Sequence, residues 1–198
     1  MKKKKIWILA AICGICGIMG GCNNPSAEKA GDTASDSTAV AEEIETYFTA
    51  IDRFFTDSIG SLYAKGDVCI PFHLVVDVDE TDSTDIKVWG DFWVNNYQQA
   101  GDTLKTVSGG SHPGLIHVRQ NGDHFEVVAF DAVGDGSDYV PTARRIFGDK
   151  FDELQRVSSD QARRDAMRRD AVAAYVKRHH LPASMFQDYG WDAVSLTE

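Results

Sequence analysis

The chain has 198 residues, 43% hydrophobic and 25% charged, with a formal net charge of −10. This suits one globular domain with an extension, and the four lysines at positions 2–5 leave the remainder more acidic still. So acidic a surface cannot follow a phosphate backbone by counterion release, which argues against nucleic acid as a partner and leans toward cationic ligands or metals. Of the four cysteines, Cys13 and Cys16 lie in an apolar N-terminal run and Cys22 ends it, so only Cys69 belongs to the folded part. A single thiol forms no disulfide framework, and its apolar neighbours make it a small buried side chain rather than a reactive one.

Met1 to Lys5 is a positive start, and Ile6 to Met19 is an apolar run followed by small residues. It is short of the about 20 apolar residues of a membrane span, so residues 1–21 read as a signal peptide. Met19-Gly20-Gly21-Cys22 resembles the lipobox of bacterial lipoproteins, with Met19 where leucine is usual. The resemblance implies that Cys22 is acylated and becomes the mature first residue. Several acyl chains, at about 0.8 kcal/mol per buried CH₂, then hold the chain stably on a membrane. The alternative is an ordinary secretory signal cleaved nearby. The expected location is the bacterial cell envelope, at the outer membrane or cell surface rather than the inner membrane. Residues 22–38, from the lipidated Cys22 through a polar run of small side chains, read as a disordered tether, and residues 39–198 as one α+β domain.

Val40, Ile44, Tyr47, Phe48, Ile51, Phe54, Phe55, Ile59, Leu62 and Tyr63 recur at three- and four-residue steps, which predicts one long amphipathic helix capped by Thr38 and stopped by Gly66. From Val68 the period becomes two: Val68, Ile70, Phe72, Leu74, Val76 and Val78 share one face of a half-buried strand, with Cys69, His73, Asp77 and Asp79 on the other. Asp79 to Asp85 is a polar hairpin loop. Ile86 to Tyr97 carries bulk on both faces, Trp89, Trp93 and Tyr97 opposing Ile86, Val88, Phe92 and Val94, and reads as a central strand. Asp102 to Ser108 is a third strand, Leu115 to Arg119 a fourth, and His124 to Val133 a fifth, entered through the Asn121-Gly122 turn. Helices follow over Thr142 to Val157 and Asp160 to His180. The arginines of the second (Arg163, Arg164, Arg168, Arg169) interleave with aspartates as a solvated face. The tail from Met185 to Trp191 is aromatic enough to dock on the domain.

Between the third and fourth strands lies Ser108-Gly109-Gly110-Ser111-His112-Pro113-Gly114, which reads as a loop with more chemistry than a turn requires. His112 is a candidate general base, with Ser108 or Ser111 as nucleophile and Asp131 or Asp135 as orienting acid. No Gly-x-Ser-x-Gly elbow or His-Glu-x-x-His helix accompanies them. His112, His117, Asp131, Asp135 and Asp138 would suit zinc if they converged, but no spacing marks them as a ligand set, and no metal or cofactor is expected.

One long helix packed on a curved antiparallel sheet of about five strands, with helices after it, resembles the fold of nuclear transport factor two-like and cystatin-like domains over Ala39 to Val133. The appended C-terminal helices depart from that fold. Ser108 to Gly114, Ile146-Phe147-Gly148 and Asp188-Tyr189-Gly190-Trp191 are similar to motifs of a group of uncharacterised bacterial lipoproteins with this domain, which implies no particular activity. The resulting expectation is a lipid-anchored binding or accessory domain, non-enzymatic, with Trp89, Trp93, Tyr97, His112 and His117 at a ligand pocket. One alternative is a small hydrolase or isomerase using His112 and a nearby carboxylate in the sheet concavity. Another is an envelope protein–protein interaction module. The expected partners are the membrane, through the lipid on Cys22, and a small molecule or envelope protein.

Overall fold

Thr46 opens the first helix by a reciprocal capping box: its hydroxyl accepts the Thr49 backbone N–H, and the Thr49 hydroxyl accepts the Thr46 N–H. The helix α1 (Tyr47–Phe54) runs on into a π turn (Phe55–Ile59) and a 3-10 turn (Gly60–Leu62), ending before Gly66 as expected. The structure, a computed structural model, describes residues 45–197. The signal segment, Cys22, the tether, and Thr38, Val40 and Ile44 of the expected long helix lie outside the described residues. Within them the helix begins at Tyr47, because Thr46 supplies the cap.

Six strands form the sheet: β1 (Val68–Asp79), β2 (Ile86–Ala100), β3 (Thr103–Asn121), β4 (His124–Ala132), β5 (Met185–Gln187) and β6 (Val194–Ser195). The first four make an antiparallel meander, and the Asn121-Gly122 turn is present, with Gly122 at φ 64°. In the polar loop before β2, Asp79 and Asp82 each accept from the threonine two residues on, which keeps the carboxylates local to the turn.

The expected glycine loop is not a loop. Ser108 to Gly114 is the middle of β3, and the two strands expected on either side of it are one. Every residue from Ser108 to Gly114 has a partner on β2, from Asn96↔Ser108 to Gly90↔Gly114. The glycines serve close approach rather than turning. A Cβ on Gly110 would stand 2.4 Å from the Tyr63 hydroxyl oxygen, and one on Gly114 2.5 Å from the Asp131 carbonyl oxygen. A bulge at Val107, between the pairs Asn96↔Ser108 and Tyr97↔Thr106, changes which side chains face which layer.

Both faces of the sheet are covered. On one, α1 and its π turn place Ile51 and Phe55 against Ile86, Val88, Phe92, Val94, Ile116 and Val118. On the other lie α2 (Tyr139–Phe147), α3 (Phe151–Ser159) and α4 (Gln161–Arg178). Phe147, Phe151 and Leu154 pack there with Trp89, and Val172 with Ile70, Tyr97 and Leu104. β1 is therefore not half-buried: Cys69 and Val75 meet the α1 layer, while Val76 stays with the helices beside Trp89 and the bulge there turns Val78, expected on the Ile70 face, onto the α1 layer instead. The helix expected over Thr142 to Val157 is two, broken where Gly148 takes φ 54°. Asp160 caps α4 by accepting the Arg163 N–H.

The C-terminal segment returns to the sheet. β5 pairs parallel with Thr103–Lys105 of β3 and β6 pairs antiparallel with β5, so Phe186 joins the core beside Leu104. The expectation that the whole aromatic tail is buried fails at its tip: Tyr189 is 97% and Trp191 76% exposed, because the chain reverses there around Gly190 at φ 80°.

Candidate functional site

The strand β3 carries two partners on the edge away from β2, with a gap between them. β5 covers Thr103–Lys105 and β4 covers Gly114–Asn121, so neither covers the stretch from Thr106 to Pro113. Beside that gap lies a cleft of about 480 Å³ whose wall includes Asp91, Trp93, Ser111, His112, Asp135, Tyr139 and Ser158. The glycine-rich stretch thus does border a cavity, for a reason other than loop flexibility.

Asp91 is the residue that sequence reasoning missed. It sits on β2 opposite Pro113 and is only 2% exposed. One oxygen accepts from the Ser111 hydroxyl at 2.5 Å and the other from the Ser158 hydroxyl of α3 at 3.2 Å. Burial pushes its pKa up, opposed by Ser111, the Trp93 indole, Ser158 and the more distant Arg164 charge. Every hydrogen bond the carboxylate accepts comes from a neutral group. The available signal was register: a lone acid between Gly90 and Phe92 on a strand apolar on both faces has no solvated side to occupy.

His112 faces the other way. Its Nε2 lies 3.0 Å from the Tyr63 hydroxyl, and its ring packs 6.0 Å from Phe55. Burial holds the imidazole below its usual range, with Asp91 and Asp135 opposing, so neutral histidine prevails. Ser108 donates its hydroxyl to the Ala64 carbonyl at 2.5 Å, and Ser111 donates to Asp91. Neither is activated by His112. Asp131 lies across from Leu115, and its carboxylate is 3.9 Å from His117 Nε2. His117 Nδ1 is 2.6 Å from Asp85, which also holds Lys87 at 3.1 Å. Residues 112 and 117 are an odd number of positions apart on one strand, so they point to opposite faces. The structure therefore supplies neither the candidate serine–histidine–acid relay nor the histidine pair. Among the described residues no group of three or more His, Cys, Asp or Glu is arranged to hold a metal ion.

The three aromatics of β2 have separate fates. Trp89 donates its indole N–H to the Ile146 carbonyl at 3.1 Å beneath Lys150, as packing for α2. Tyr97 is 0% exposed, so it has no surface to offer a ligand. Trp93 is the one of the three at the cavities: it stacks on Phe72 at 5.7 Å, lies under Arg164 at 5.5 Å, and lines both the cleft and a neighbouring groove.

That groove, about 690 Å³, runs between α4 and the C-terminal hairpin, with Arg164, Arg169, Trp191 and Asp192 among its walls. Arg168 anchors it. Its guanidinium donates to both Asp188 oxygens at 2.7 Å, to Thr106 at 2.8 Å and to the Tyr97 hydroxyl at 2.9 Å. The arginines of α4 are thus not one solvated face. On the other sheet face, the Cys69 thiol is pushed up to about 11 by burial and the Asp57 charge, the reverse of a reactive thiolate.

No family model matches the chain, and no curated protein or solved structure matches it either.

Proposed function

We propose that the chain is a lipid-anchored extracytoplasmic binding or accessory domain whose ligand occupies the cleft over Asp91. The observation that carries this reading is a carboxylate withdrawn from solvent at a cavity wall, with neutral hydrogen-bond donors as its direct partners. Buried charge is costly unless it is compensated, and a site that retains it is a candidate for function. Binding is favoured over hydrolysis or isomerisation because the ring of His112 is engaged by Tyr63, with Ser111 committed to Asp91. The packing of α1 on one sheet face is compatible with the nuclear transport factor two-like resemblance. Among the described residues no helix is long and apolar enough to cross a membrane; the proposed attachment is the lipid on Cys22 that its lipobox resemblance implies.

Two experiments test the reading. Metabolic labelling with an alkyne palmitate should mark the full chain and fail on Cys22→Ser. Native mass spectrometry of the full chain from envelope extracts should find a small-molecule adduct that Ala132→Trp, which fills the cleft, removes. A second reading, an envelope protein–protein interaction module, is favoured by the exposed Tyr189 and Trp191 beside the groove. A stable protein complex lost on Trp191→Ala, with no adduct in the cleft, would replace the first reading by the second.

A further inference from the structure

We propose that the cleft over Asp91 binds an organic ammonium ion. This rests on the binding reading above and gives its ligand a chemical class. The cleft wall carries two carboxylates, Asp91 and Asp135, and two aromatic side chains, Trp93 and Tyr139. The one basic residue along it, His112, turns its ring toward Tyr63 and Phe55 on the opposite sheet face and is held neutral by burial. Arg164, whose charge acts on Asp91, sits over the Trp93 ring and lines the neighbouring groove rather than the cleft. The cavity is therefore negative inside, and because Phe72 and Arg164 already pack on the Trp93 ring, Trp93 and Tyr139 serve as apolar wall for a carbon skeleton rather than as a cation-binding face. A bare metal ion would require a cluster of ligating side chains, and the described residues provide none. An ammonium group needs less: one carboxylate in contact, a second nearby, hydroxyl acceptors such as Ser111, and aromatic walls for its carbon skeleton. About 480 Å³ accommodates a small molecule of that kind.

Isothermal titration calorimetry on the full chain in detergent tests this, with putrescine and choline as cations, acetate as an anion and glycerol as a neutral control. At least one cation should bind saturably, and Asp91→Asn should weaken it by about tenfold or more. Asp192→Asn, in the groove, should change it less than about twofold. Near-UV circular dichroism establishes that each variant is folded. If Asp91→Asn does not fold, Asp135→Asn serves instead, with a loss of about threefold or more expected. Failure of both cations to bind, or binding indifferent to Asp91 and Asp135 substitution, overturns the proposal. Saturable binding of acetate or glycerol alone, abolished by Ala132→Trp, overturns the ammonium assignment and leaves the cleft as a binding site. A native adduct that Ala132→Trp does not displace removes the binding reading itself.

Discussion

Two charged side chains are withdrawn from water on the helix-covered face of the sheet, and they are treated in opposite ways. Arg168 is answered in full: a carboxylate takes two of its donors, and Thr106 and Tyr97 take others. Asp91 is answered only by neutral donors and borders a cavity. The first charge is closed and fastens the C-terminal hairpin to β3 and α4. The second is left open at one side. The contrast separates a charge that builds the fold from one that the fold holds ready for something else.

Arg168→Leu gives the largest expected effect. It removes four hydrogen bonds, leaving Asp188 with the Thr106 hydroxyl alone and the Tyr97 hydroxyl without Arg168, a loss of about 2–4 kcal/mol once the partial exposure of Asp188 is allowed for. Urea unfolding measures it, and hydrogen exchange should show Met185 to Ser195 released first. A loss below about 0.5 kcal/mol would mean that the latch is ornamental.

The α1 face offers a different buried ionisable group, His73. Its ring stacks on Phe48 at 4.9 Å, and burial pushes its pKa down to about 4. The Asp52 carboxylate lies 3.5 Å from its Nδ1. An unfolded histidine takes up its proton near pH 6.5 and the folded one only near 4, so stability is full above 6.5 and falls as pH drops through that window. The expected loss is about 2–3 kcal/mol, seen as a fall in Tm that His73→Leu removes. A flat profile would mean that Asp52 holds the imidazolium in the folded state.

Asp91→Asn should move stability the other way. With its pKa raised by burial, the ionised acid is penalised in the folded state above that pKa, and the penalty vanishes as pH falls below 3.8. Asp135, His112, Tyr139 and Arg164 are the other charged or titratable groups around it. The variant should gain about 1 kcal/mol at pH 7, or about 2–4 °C in Tm, and the gain should shrink toward pH 3. A variant less stable at pH 7 would make Asp91 a structural anion and erase the contrast with Arg168. Smallest of all, Trp191→Ala should change stability by less than about 0.5 kcal/mol, since the indole is 76% exposed.

The order of elements was legible because period-two and period-3.6 patterns survive in single strands and helices, and because Asn121-Gly122 admits few other structures. What was not legible depends on partners distant in sequence. Gly109, Gly110 and Gly114 look like turn residues until Asn95, Val94 and Gly90 are known to lie opposite them. Ser111 and Trp93 do reach one cleft, and His112 borders it but turns its ring to the α1 face. Ser108, His117, Asp131, Trp89 and Tyr97 do not, because strand parity, the Val107 bulge and the C-terminal helices direct them elsewhere. Asp91 could have been suspected, since a strand apolar on both faces leaves an acid no solvated side, but its partners Ser111 and Ser158 are distant in sequence and no local pattern gives them. Arg168 and Asp188 meet only because the tail returns to β3.

That return also orders assembly. Every pairing from β1 to β4 joins neighbours in the chain through short reversals, whereas Thr103 must wait for Met185. Loop-closure entropy makes the local hairpins form early and the parallel pairing late. The nascent chain therefore carries an unfinished sheet until its final residues emerge, and a truncation before Met185 would leave the Leu104 end of the core bare.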